Sequence, residues 1–168
     1  MIRVQQAATD EQLEEVRTLI QEFVFWHREQ HHDDIPLIDE YFNAEDFEEE
    51  LAGLPGEYAP PLGSLLIAYH NDKPAGCVAL RELDKKTCEM KRMFVYPHFQ
   101  GNGIGRILTK RIMEEARRIG YQIMRLDTSI RQVEAQALYQ SMGFERTGPY
   151  YELPSRLRNW LVFMETKL

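Results

Sequence analysis

The chain has 168 residues, 43% of them hydrophobic, enough for one globular domain over residues 1–168 whose core needs no staples. Its net charge of −7 is uneven, because residues 1–60 carry 16 acidic and 3 basic side chains and the remainder 11 and 17, leaving the two parts near −13 and +6. This balance argues against nucleic acid as a partner; the lack of an apolar run of spanning length argues against a membrane, and Cys77 and Cys88, without C-x-x-C spacing or a leader-like segment, fit reduced thiols in a cytoplasmic protein.

Residues Ile2 to Ala7 read as a first strand, and Thr9 or Asp10 can cap a helix that carries Leu13, Val16, Ile20 and Phe23 at helical spacing. That helix is expected to fray near His31-His32-Asp33-Asp34, whose metal-ligand residue types are too close in sequence to face one ion, so a solvated loop and no metal site are expected. A second helix is expected from about Asp39 to Leu51, followed by an irregular stretch marked by Pro55-Gly56 and Pro60-Pro61. Leu65–Tyr69 and Pro74–Leu80 read as strands joined at Asn71-Asp72, with Cys88–Val95 as the next, an antiparallel meander. Strict alternation would put Glu89, Lys91 and Met93 on one face of that last strand and Met90, Arg92 and Phe94 on the other.

Gly101, Gly103 and Gly105 follow, at the start of a helix lined by Ile104, Leu108, Ile112, Ala116 and Ile119. A strand, a glycine turn and a helix N-terminus together form an anion cradle, in which backbone N–H groups converge on a ligand such as a diphosphate. A Walker loop is excluded because Gly105 precedes Arg106 and Ile107 instead of Lys-Ser/Thr, and a dinucleotide fingerprint is excluded because Arg106 and Leu108 stand where glycine is needed. Gly120 ends the helix, and Ile123–Asp127 reads as a strand parallel to Cys88–Val95. A short helix from Gln132 to Met142, ended by Gly143, and a hairpin of Phe144–Gly148 with Trp160–Glu165 complete the chain.

The remaining pattern, Gln100-x-x-Gly103-x-Gly105, resembles the coenzyme A loop of the GNAT superfamily of N-acetyltransferases, and Ala135-Gln-Ala-Leu-Tyr139-Gln-Ser-Met-Gly-Phe144 resembles a second signature of that superfamily. The order of elements matches as well, so the resemblance covers nearly the whole chain and implies a mixed α/β fold: a largely antiparallel sheet with one parallel, splayed strand pair, flanked by helices. Leu54-Pro-Gly-x-Tyr58, Cys88-Glu-Met-Lys-Arg92, Leu126-Asp-Thr128 and Pro149-Tyr-Tyr151 narrow the likeness to a mostly bacterial group of undefined substrate. Ser129-Ile130-Arg131 and Leu153-Pro154 depart from that group's habit in loops beside the expected acceptor cleft.

The resemblance implies acetyl-CoA as cofactor, held by Met93, Phe94, Val95, Gln100, Gly101, Asn102, Gly103, Ile104, Gly105 and Arg106, with Gln132 where the superfamily often has asparagine. Acetyl transfer to an amine needs a deprotonated amine, a home for the oxyanion and a proton donor for the departing thiolate. Tyr139 is the expected general acid. Glu89, eleven residues before Gln100, matches the general-base glutamate of some members, although it can equally pair with Lys91 or Arg92. Trp26, Tyr150 and Tyr151 are the candidates for contacting the acceptor, a small-molecule or peptide amine. Self-association as a homodimer fits the fold, and the competing functional reading is a catalytically idle acyl-CoA-binding regulatory module.

Overall fold

The computed structural model describes residues 1–168. In chain order the elements are β1 (Ile2–Gln6), α1 (Asp10–Gln30), α2 (Ile35–Tyr41), α3 (Ala44–Ala52), β2 (Ser64–His70), β3 (Lys73–Glu82), β4 (Thr87–Val95), α4 (Ile104–Ile119), β5 (Ile123–Ser129), α5 (Val133–Ser141), β6 (Glu145–Thr147), α6 (Ser155–Trp160) and β7 (Leu161–Lys167). One seven-stranded sheet runs in the order β1-β2-β3-β4-β5-β7-β6, antiparallel at every pairing except β4 with β5. The closing hairpin therefore docks through its second strand, with β7 between β5 and β6.

Alternation in β2 shows how the layers form. Leu66 and Ala68 face the core against α4 with Leu108 and Ile112, while Leu65, Ile67 and Tyr69 face α1 with Val16, Leu19 and Ile20. Each aliphatic side chain so buried contributes about 1.5–3 kcal/mol. Thr9 caps α1 through a reciprocal capping box with Gln12, which satisfies N–H groups that the helix cannot. Asn71 and Asp72 both adopt positive φ, 49° and 66°, the geometry of a tight hairpin turn that these residue types tolerate.

Three expectations require correction. The helix expected from Asp39 to Leu51 is two helices, broken at Asn43, whose side chain accepts from Asp46 N–H and starts α3. The polar stretch His31–Asp34 is not all solvated: it forms a turn of 3₁₀ helix in which Asp34 is buried, accepting from Arg131 Nε (2.8 Å) and Trp160 Nε1 (3.0 Å). The alternation of β4 is reset at Arg92, where φ is +56° and the pairing with β3 slips between Cys77 and Ala79, a bulge of one extra residue. Arg92 and Phe94 consequently join Lys91 and Glu89 on the face toward α1, and Met93 moves to the α4 face with Met90. The Cys77 thiol donates to Arg92 C=O (3.3 Å) at this bulge.

Candidate active site

The parallel pairing of β4 with β5 covers three residue pairs, Thr87 with Ile123 to Glu89 with Arg125. Beyond Glu89 the strands part, so the facing backbone edges of Met90–Val95 and Leu126–Ser129 have no strand partner across the gap. Two spaces fill the resulting V.

The outer space is an open cleft of about 630 Å³ between the end of β4, the start of α4 and α5. Gly101 and Gly103 have φ of 87° and 77°, and Gly103 caps α4 with no side-chain hydrogen bond. The first N–H to bond within this turn is Ile107's, to Gly103 C=O at 3.1 Å, so the N–H groups of Ile104, Gly105 and Arg106 have no helical acceptor. Those unsatisfied donors and the positive end of the helix dipole suit a diphosphate. Gln100 is anchored by its Nε2 to Val95 C=O (3.2 Å), and Arg106 by its Nη2 to Ser141 Oγ (2.9 Å). Gln132 lines the cleft, and its buried Nε2 has no hydrogen-bond partner.

The inner space, about 60 Å³, lies deeper in the V between β4, β5, α1, α2 and α6. Phe23, Met93, Gln132 and Tyr139 line both spaces and form their common wall. Tyr139 is 5% exposed, and burial pushes its phenol above the ordinary tyrosine range, with Asp127 adding to the shift. Its proton is therefore secure at neutral pH.

Besides Tyr139, five titratable residues line the inner space: His27, Tyr41, Lys91, Arg92 and Asp127. His27, 2% exposed, has its Nε2 3.4 Å from Ser129 Oγ and its Nδ1 unpartnered; burial lowers its pKa and favours the neutral ring. Asp127 accepts from Tyr41 Oη at 2.5 Å and from Tyr151 Oη, which with burial raises both phenols. Arg92 is bound in two places by Glu50, Nε at 2.8 Å and Nη2 at 2.9 Å. Lys91 has its pKa lowered by burial, against the opposing pull of Glu89 and Asp127.

All the residues expected to hold the cofactor line the outer cleft except Asn102, whose side chain turns back to Phe99 C=O (2.9 Å). Glu89 lines neither space. It is 1% exposed, its Oε1 accepts from Arg81 Nε (2.7 Å), and its Oε2 accepts from Tyr150 Oη. Each of its carboxylate oxygens is thus engaged by a neighbouring side chain. Tyr150 and Tyr151 stand behind the inner space, bonded to Glu89 and Asp127 and packed on Phe163, and Trp26 lies on the outer cleft beside Phe94. Sequence reasoning did not select Lys91, Asp127, Tyr41 or Ser129, which reach the inner space from three separate segments. Both cysteines are fully buried and line neither space, and burial pushes both thiols up to about 12.

Residues 14–144 match the model of the acetyltransferase (GNAT) family. The chain is 39% identical over 109 residues to an uncharacterized N-acetyltransferase of Schizosaccharomyces pombe, covering 64% of this chain and 67% of that protein. It is 34% identical over 114 residues to the N-acetylaspartate synthetase of Danio rerio, covering 66% of this chain and 40% of that protein. In fold it is similar to the PaiA N-acetyltransferase of Thermoplasma acidophilum in complex with coenzyme A, with TM-score 0.73, 17% identity and coverage of 100% and 99%. The chain belongs to the GNAT family. It is an acetyl-CoA-dependent N-acetyltransferase of mixed α/β fold, and no helix is long and apolar enough to cross a membrane.

Proposed function

We propose that the protein moves an acetyl group from acetyl-CoA to a primary amine by direct attack, with both substrates bound at once. The observation that carries this reading is the common wall: a cleft with free helix N–H groups and a separate inner space meet at Tyr139. The diphosphate sits on the N–H groups of residues 101–106, Gln132 holds the pantetheine arm, and the arm runs along the unpaired edge of β4 around Met93 to Val95. That edge supplies N–H to the developing oxyanion.

The amine nitrogen bonds to the thioester carbon and the carbon–sulfur bond breaks. Tyr139 donates a hydrogen bond to the departing sulfur. Full transfer of its proton is uphill, since burial raises a phenol that already starts near 10 whereas a thiol, with cysteine as the model, lies near 8.5. The thiol proton is thus completed from solvent. The proton lost by the amine goes to His27, neutral and at the inner wall, while Glu89 acts at one remove by fixing Tyr150. We also place the protein in the cytoplasm, where its two buried cysteines stay free thiols.

Calorimetry with acetyl-CoA and a thiol-release assay over a panel of amines test the reading together. Binding with turnover is expected. Tight donor binding with no transfer to any amine would instead identify an idle acyl-CoA-binding module, which the family relationship does not favour.

A further inference from the structure

Lys91 places an ammonium at the inner space that the protein leaves short of acceptors. Its side chain is 13% exposed and lines that space, yet the nearest carboxylate oxygen, Glu89 Oε1, is 3.8 Å away, and no hydrogen bond to the ammonium is formed. Three donors on a charged, nearly buried group are costly to leave without acceptors.

The carboxylates around it are engaged elsewhere. Glu89 is taken up by Arg81 and Tyr150, and Asp127 has one tyrosine hydroxyl on each oxygen. Glu50 is spent on Arg92, the second cation lining the space, and Arg81 also binds Glu57. From α1 the space is met by His27, uncharged and carrying no acceptor charge to offer; from α2 it is met by Tyr41, whose ring lies 5.8 Å from Lys91 Nζ. A bare ammonium entering here would meet Lys91, Arg92 and a single lining carboxylate, Asp127, already bonded to two tyrosines, whereas a carboxylate would supply the acceptor oxygens that Lys91 lacks.

Resting on the N-acetyltransferase reading above, we propose that the acceptor is a small amino acid, an amine that also carries a carboxylate, and that Lys91 binds that carboxylate in the inner space. The volume of about 60 Å³ limits the guest to a few heavy atoms beyond the reacting nitrogen. Lys91 is then a specificity residue that acts on binding and takes no part in the bond changes.

The test compares small amino acids with their own amides, using the thiol-release assay on the full chain. An amide has the less basic amine and hence more free base at neutral pH, so without carboxylate recognition it should react faster. The proposal expects the acid to exceed its amide in kcat/KM by about tenfold or more, equivalent to about 1.4 kcal/mol, and expects Lys91→Met to bring that ratio near one. Lys91→Arg should retain part of it, and melting curves establish that both variants fold. Amides equal to or better than acids, or an unchanged ratio in Lys91→Met, would overturn the proposal while leaving acetyl transfer intact. If no amine turns over, the same acids are titrated into coenzyme-A-loaded protein: a thermal shift lost in Lys91→Met supports the carboxylate site independently of catalysis, and no shift overturns it.

Discussion

The two spaces in the V are built in opposite ways. The anion-binding end of the outer cleft is made of backbone: glycines at positive φ, an uncapped helix start and an unpaired strand edge, all from residues 93–106, with side chains of α1 and α5 closing its sides. The inner space is made of side chains, each delivered by a different element and held by neighbours such as Glu50, Tyr151 and Ser129. A backbone site is set by local conformation and tolerates change in the surroundings, whereas a side-chain site depends on several long-range contacts at once. The difference predicts how each will fail.

The largest effect should follow from Glu50→Ala, which strands the buried Arg92 guanidinium. Breaking a buried pair costs about 3–5 kcal/mol; because Glu50 is 24% exposed and water can enter, the lower end is expected, a loss of about 6–12 °C in Tm. If the comparison holds, acetyl-CoA affinity of the folded fraction changes little. Next, Tyr139→Phe removes the hydrogen-bond donor at the common wall and should lower kcat about 100-fold, with the donor dissociation constant from calorimetry nearly unaltered; a parallel loss of affinity would show that Tyr139 belongs to the outer cleft.

Gly103→Val isolates the backbone site. A Cβ there has open space, with nothing within 4 Å, so the penalty is conformational: φ of 77° is strained for a β-branched residue, at about 1–3 kcal/mol. Acetyl-CoA should bind about 10- to 100-fold more weakly, and unchanged affinity would sink the cradle. The smallest effect on stability belongs to His27. Its folded pKa lies below the unfolded value of about 6.5, so the unfolded chain binds more protons and stability rises with pH from the folded pKa up to about 6.5. His27→Gln should flatten that slope in melting curves taken between about pH 5 and 7, and an undiminished slope would mean that another group carries it.

The outer cleft was legible because its information is local. Gly101, Gly103 and Gly105 betray the backbone geometry by their type, and the hydrophobic spacing of α4 fixes the helix that they open. The meander was legible for the same reason, with Asn71-Asp72 naming its turn. The inner space was not, because Lys91 and Asp127 look like ordinary charges on strands until the parting of β4 and β5 brings them into one cavity. Glu89 shows the converse: its spacing from Gln100 suggested a base, but Arg81 and Tyr150, eight residues before it and sixty-one after, each engage one of its oxygens. Alternation along β4 misled at Arg92, since nothing in Lys91-Arg92-Met93 announces a bulge.

That bulge gives adjacent positions on β4 separate duties. Arg92 lines the inner space alone, and Met93, turned to the opposite face, stands where the inner space meets the outer cleft. A single-residue deletion at the bulge would restore an unbroken alternation with Met93 and Phe94 still on their present faces, so what the extra residue adds is a second cation, Arg92, set beside Lys91 on the side toward α1.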